Sequence, residues 1–152
     1  MRILVSACLA GLNTRYDGGH CLSPELAGLA SRHTLVPVCP EQLGGLPTPR
    51  PPCEIVSCRV LGASGQDRTA AFEQGADQAL AICRFSGCGA AILKARSPSC
   101  GKGLVYDGSF SGKLVPGNGV LAEKLLRAGI PVYTEAELDD LQASSEFTCS
   151  GP

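Results

Sequence analysis

Three things are missing from this chain. No block of like charge occurs in its 152 residues, and the formal net charge is −1. That leaves no electrostatic footprint for nucleic acid or a membrane surface, although a small basic pocket stays open. No stretch approaches the roughly 18 consecutive apolar residues of a membrane span. The apolar run from Ile3 to Leu12 is broken by Ser6 and Gly11 and ends in NTRYDGG, which does not resemble a signal-peptide cleavage site. A buried first strand is the better reading, and a soluble, cytoplasmic protein is expected. Finally, no two cysteines have C-x-x-C spacing, which removes zinc ribbons and thioredoxin-type redox sites.

What is present is cysteine: Cys8, Cys21, Cys39, Cys53, Cys58, Cys83, Cys88, Cys100 and Cys149. Nine is an odd number and no secretion signal precedes them, so a disulfide framework is not expected. The ordinary reading of free cysteine is a small buried hydrophobe, and Cys83 and Cys149 fit it best. With 44% hydrophobic residues the chain has material for a proper core, and its length suits one domain spanning residues 1–152.

Apolar runs at residues 2–7, 34–39, 89–95 and 130–135 read as buried strands. Helical patterns lie between and after them, at PELAGLASR, RTAAFEQGADQALAICRFSG, GVLAEKLLRAG and AELDDLQA. Pro24 suits a first helical position and Gly129 a helix end. The alternation predicts an α/β domain: a mostly parallel, Rossmann-like sheet of about four strands, with helices on both faces and the first strand central. Residues 53–66 read as a short hairpin or irregular excursion, and the tail 143–152 as loose. RYDGGH and VYDGSF echo each other as tyrosine-containing turns.

Ligands of open parallel sheets bind beyond the carboxyl ends of the strands. Cys8, Cys39 and Cys100 each closely follow a predicted strand, so their loops converge on that edge. Three thiolates suit zinc, or an iron–sulfur cluster with one iron left free for an outside ligand. Glu41 lies in CPE beside Cys39, and Ser97 lies in SPSC beside Cys100, each braced by proline. A carboxyl group near a cluster suits proton transfer, because burial raises its pKa toward neutrality. The residues alone leave open a turn cap for Ser97 and a solvated charge or salt bridge for Glu41.

LVSACLAG with RYDGG, VCPEQLGGLPTPRPPCEI, LKARSPSCG, YDGSFSGK and GNGV together resemble the TudS-like thiouracil desulfidases over roughly residues 2–138. The resemblance implies a 4Fe-4S cluster on Cys8, Cys39 and Cys100, its fourth iron open to substrate sulfur. It implies catalytic roles for Glu41 and Ser97, with Ser99 the alternative serine. It implies non-redox conversion of a thiolated uracil, as base or nucleotide, to uracil with loss of hydrosulfide. Arg15, Arg50, Lys94 and Arg96 share these loops, and one or two would hold a substrate phosphate. Cys53, with Cys21 and Cys58, is read as an extra thiol outside the site. A small-molecule partner, no nucleic acid, and loading by the iron–sulfur assembly machinery follow; the chain's end at residue 152, without a further domain, favours a free base or nucleotide over tRNA. The rival is a non-catalytic iron–sulfur or zinc module, a sensor or carrier, for which a carboxylate and a hydroxyl beside the ligands would serve no purpose.

Overall fold

The computed structural model describes residues 1–148. Four parallel strands form the central sheet: β1 (Arg2–Ser6), β2 (Thr34–Val38), β5 (Ala90–Leu93) and β8 (Val132–Thr134), in the order β2-β1-β5-β8. Leu4 stands between Val36 and Ala91, and Ile92 beside Tyr133. β1 is therefore an inner strand, as its apolar, fully buried centre Ile3–Val5 requires. β2 differs from its reading as a buried strand. It lies at the sheet edge and is only half-buried, where Pro37 leaves no ladder donor missing.

The strands alternate their side chains across two helical layers. Leu4, Ala91 and Leu93 face α3 (Thr69–Phe85) and α4 (Val120–Arg127), packing on Ala76, Ala79, Cys83, Leu121 and Leu125. Ile3, Val5, Ala90 and Ile92 face the other way, onto Leu26 and Leu29 of α1 (Pro24–Leu29) and Leu138 and Leu141 of α5 (Leu138–Thr148). Ser23 caps α1 by accepting the Leu26 amide at 3.2 Å, with Pro24 at the first helical position. α5 continues past Gln142, so residues 143–148 are helical rather than loose. Cys149 and the last three residues lie outside the described part. Among the described residues no helix is long and apolar enough to cross a membrane.

Three short features complete the fold at the carboxyl edge of the sheet. A one-turn helix α2 (Pro40–Leu43) follows β2 directly. One hairpin, β3 (Cys53–Val56) with β4 (Arg59–Gly62), fills the region read as a hairpin or excursion. A second, β6 (Leu104–Tyr106) with β7 (Leu114–Pro116), follows the third cysteine loop. α2 and this second hairpin have no counterpart in the sequence reading, because both are too short to show a period.

Candidate active site

The loops after β1, β2 and β5 surround a cavity of about 720 Å³. Cys8, Cys39 and Cys100 all line it, one from each loop, as do Glu41, Ser97, Ser99, Arg15, Arg50 and Arg96. The polypeptide holds each loop differently. Cys8 lies in the 3-10 turn Ala7–Ala10, and its carbonyl accepts the amide of Cys21 at 2.9 Å. Cys39 ends β2 and starts α2, which is pressed against α3. A Cβ at Gly75 would lie 1.7 Å from the Pro40 carbonyl oxygen, so only glycine lets the two helices meet. The Cys100 loop is clamped by the first turn of α4: Val120 N–H donates to Pro98 O at 3.0 Å and Leu121 N–H to Ser99 O at 2.8 Å. These amides have no partner within their own helix, and here the loop carbonyls supply one.

Burial pushes Cys100 up to about 12 and Cys8 up to about 11, each with a smaller contribution from neighbouring thiols. Both are neutral thiols in the metal-free protein, so a metal centre must displace their protons as it binds. Every described cysteine is free, and among the described residues no three Cys, His, Asp or Glu side chains converge on one point as a single ion requires. The three cysteines share the cavity, and Cys8 lies close enough to Cys39 and to Cys100 to act on both electrostatically. Three thiols with no histidine among the described residues of the cavity lining suit an iron–sulfur cluster.

Beside the thiols runs a directed chain of hydrogen bonds. Arg50 Nε donates to Glu41 Oε1 at 3.0 Å, and Ser99 Oγ donates to Glu41 Oε2 at 2.8 Å. Ser97 Oγ lies 3.0 Å from Ser99 Oγ. A serine has one hydroxyl proton, and that of Ser99 goes to the carboxylate in preference to Cys100 Sγ at 3.7 Å. Ser97 must then donate to Ser99. Its own oxygen accepts the amides of Ser99 at 3.2 Å and Cys100 at 3.1 Å. The open readings at Ser97 and Glu41 thus hold together: Ser97 does cap its turn, Glu41 is in a salt bridge, and both belong to one network in the cavity.

The arginines separate. Arg50 is 8% exposed. Besides Glu41 it donates through Nη1 to Pro47 O and Thr48 Oγ1, and through Nη2 to Thr14 O and, at 3.9 Å, Cys39 Sγ. All five donors of its guanidinium are occupied, so it positions Glu41 and has none left for a substrate. Arg15 donates to Cys21 Sγ at 2.6 Å and pairs with Asp17 at 3.5 Å. Lys94 is held by Glu135 at 2.9 Å. The Arg96 side chain alone of the four makes no hydrogen bond or ion pair among the described residues. It is exposed at the cavity, on a backbone with φ 68.

Cys53, read as outside the site, lines the cavity near Glu41. Tyr16, Tyr106, Phe110 and Glu54 line it too, and the sequence reading does not count them as site residues. The paired tyrosine turns are the visible signal for two of them.

A sequence model of the 2-thiouracil desulfurase family matches residues 3–137. The uncharacterized protein YbbK of Bacillus subtilis (strain 168) is 42% identical over 149 residues, which span 91% of this chain and 99% of that protein. The solved structure of the 4Fe-4S-dependent thiouracil desulfidase TudS superposes with a TM-score of 0.90 at 42% identity, covering 96% of this chain and 98% of the other. The family match runs from the second residue of β1 to the loop before α5, through every loop that lines the cavity, and the chain belongs to the 2-thiouracil desulfurase family.

Proposed function

We propose that the protein is a 4Fe-4S-dependent desulfidase that hydrolyses the thiocarbonyl of a 2- or 4-thiolated uracil, giving uracil and hydrosulfide. One observation carries the reading: three strand-end cysteines and the Ser97–Ser99–Glu41 chain open on a single cavity. Cys8, Cys39 and Cys100 would hold the cluster. When bound, the cluster supplies an open iron, a Lewis acid with affinity for the thiocarbonyl sulfur.

The chain's own residues handle the water and its proton. Ser97 is the less buried of the two serines and is the one placed to meet the attacking water. As the incoming water displaces one of the two amides from Ser97 Oγ, Ser97 takes the water's proton while passing its own to Ser99, and Ser99 passes its proton to Glu41 Oε2. The two transfers between side chains follow hydrogen bonds already pointing that way. The amide that stays on Ser97 Oγ steadies the negative charge that grows there. Arg50 fixes Glu41 Oε1, so Oε2 is the oxygen left to receive the proton. Ser99 is therefore a relay rather than a substrate-binding group. Arg96 is the cation available for a substrate phosphate, and base and nucleotide both fit this arrangement. A reducing, cytoplasmic setting and loading by the iron–sulfur assembly machinery accord with a site of free thiols.

The test is turnover by anaerobically prepared, cluster-loaded enzyme, followed by loss of thiouracil absorbance and by sulfide release. Glu41→Gln should keep the cluster spectrum and lose about 10²- to 10⁴-fold in rate. Replacing Cys8, Cys39 or Cys100 by serine should bleach the protein, whereas replacing core-buried Cys83 should not. A fully loaded enzyme that desulfidates no thiopyrimidine overturns the proposal and returns the site to a binding module.

A further inference from the structure

The chain contains three tyrosines, four phenylalanines and no tryptophan. Three of these rings, Tyr16, Tyr106 and Phe110, nevertheless line the cavity. Both tyrosines arrive on the echoed Tyr-Asp-Gly turns, and both turns close in the same way. Asp17 Oδ1 accepts the Gly19 amide at 2.9 Å, and Asp107 Oδ1 accepts the Ser109 amide at 2.9 Å. Phe110 sits at the tip of the β6–β7 hairpin with φ 56, a left-handed conformation that a bulky side chain avoids. It is 37% exposed, so core packing does not hold it there. Glu54 of the other hairpin does: its Oε1 accepts the amides of Gly108 at 3.0 Å and Phe110 at 3.1 Å. An unfavourable backbone, held by a clasp, keeps a phenyl ring over a cavity. Strain retained at a ligand site is the usual mark of a group positioned for use.

We infer that Phe110, flanked by Tyr16 and Tyr106, is the stacking surface for the substrate's ring, and so the residue that selects a planar heteroaromatic thiocarbonyl over an acyclic one. The inference rests on the desulfidase reading of the site. Stacking on an aromatic side chain is insensitive to which ring position carries the sulfur, because every base presents a π face. The cavity would thus choose rings as a class, and the reacting groups at its floor would choose the thiocarbonyl.

The test separates the wall from the chemistry. Uracil has no sulfur to lose, so its calorimetric titration into cluster-loaded enzyme reads binding without turnover, and the difference between parent and Phe110 variants reads the wall. Phe110→Gly removes the ring and relieves the left-handed strain. It should melt no lower than the parent yet bind uracil on the order of five- to a hundred-fold more weakly. Turnover of thiouracil relative to thioacetamide, compared as kcat/KM, should fall by the same factor, with the loss in KM. Should the glycine variant fail to fold, Phe110→Leu keeps apolar bulk without the π face and should show the same selective loss. Unchanged uracil affinity in either variant sinks the stacking role while leaving the desulfidase reading standing. A parent that binds uracil through Phe110 but desulfidates no thiopyrimidine does the reverse: the stacking surface stands and the desulfidase reading falls.

Discussion

The floor and the roof of the cavity are built by different rules. The floor is made of strand ends. Apolar runs place Cys8, Cys39 and Cys100 at the edge of a parallel sheet, and helices pressed close behind them leave no freedom. The roof is made of two short hairpins. Each has one thin ladder, and they meet through a single carboxylate, Glu54, and the close seat of Gly108 on Val56, where a Cβ would lie 2.5 Å from Val56 Cγ2. Strands β1 and β5 of the floor are buried on both faces, whereas each roof hairpin buries a single apolar side chain, Val60 in one and Val105 in the other, and polar contacts add the rest. Chemistry that requires fixed distances sits on the first, and recognition of a flat ring falls to the second.

The sharpest way to break the floor is at Gly75. A methyl group there would meet the Pro40 carbonyl oxygen, which belongs to backbone and cannot swing aside. Gly75→Ala must push α2 from α3 and carry Cys39 and Glu41 with it. Overpacking of this kind is expected to cost about 3 kcal/mol or more, a fall of roughly 10 °C in Tm, and to lower cluster occupancy as well. Gly28 is the internal control. It is also helical, but nothing lies within 4 Å of the point a Cβ would occupy there. Gly28→Ala should leave Tm unchanged or slightly raised, since alanine is the better helix former. Equal thermal scans for the two variants would refute close helix contact as the device that fixes the floor.

Breaking the roof should do less. Glu54→Ala removes the acceptor of two amides, about 1–2 kcal/mol of order between the hairpins. The expected result is a KM for thiouracil raised on the order of ten-fold with kcat retained. Glu54→Gln keeps an oxygen for the same amides and should stay within a few-fold of the parent. A loss in kcat instead of KM would move Glu54 from the roof into the proton machinery of the floor.

The floor is far more legible in the sequence than the roof. Long apolar runs have a period, a run followed at once by cysteine has a place in the topology, and proline beside Glu41 and Ser97 fixes a direction. Hence Cys8, Cys39, Cys100, Glu41, Ser97 and Ser99 all come to the expected edge. The roof carries no comparable signal. Strands of three or four residues show no alternation, and whether Cys53 faces in or out depends on how two hairpins lean together. Arg50 departs from its sequence reading for a related reason. Its residue type suits a phosphate, but its use is decided by Glu41, Thr48, Pro47 and Thr14, which sequence does not place around it.

The smallest expected effect lies where roof and floor are tied. Arg59 on β4 pairs with Asp67, Asp67 Oδ1 accepts the amide of Thr69 at 2.9 Å, and the Thr69 hydroxyl accepts the Val60 amide at 2.9 Å. The first turn of α3 is thereby pinned to the first hairpin. Hydrogen bonds from Thr69, and then from Arg59, pull the Asp67 carboxyl down from 3.8 to about 2. A carboxyl group with a lowered native pKa contributes stability that is fully present above its unfolded value and is lost as pH falls through the native one. The window is therefore from about 4 down to 2. Asp67 is solvent-exposed, so screening keeps the effect small. Asp67→Asn preserves an acceptor for the Thr69 amide and removes the charge alone. Its Tm should lie slightly below the parent's at pH 6, and the gap should narrow as pH falls through the window and shrink when salt is added. A gap that persists unchanged with pH and salt would show that the tie is made by hydrogen-bond shape, with no contribution from charge.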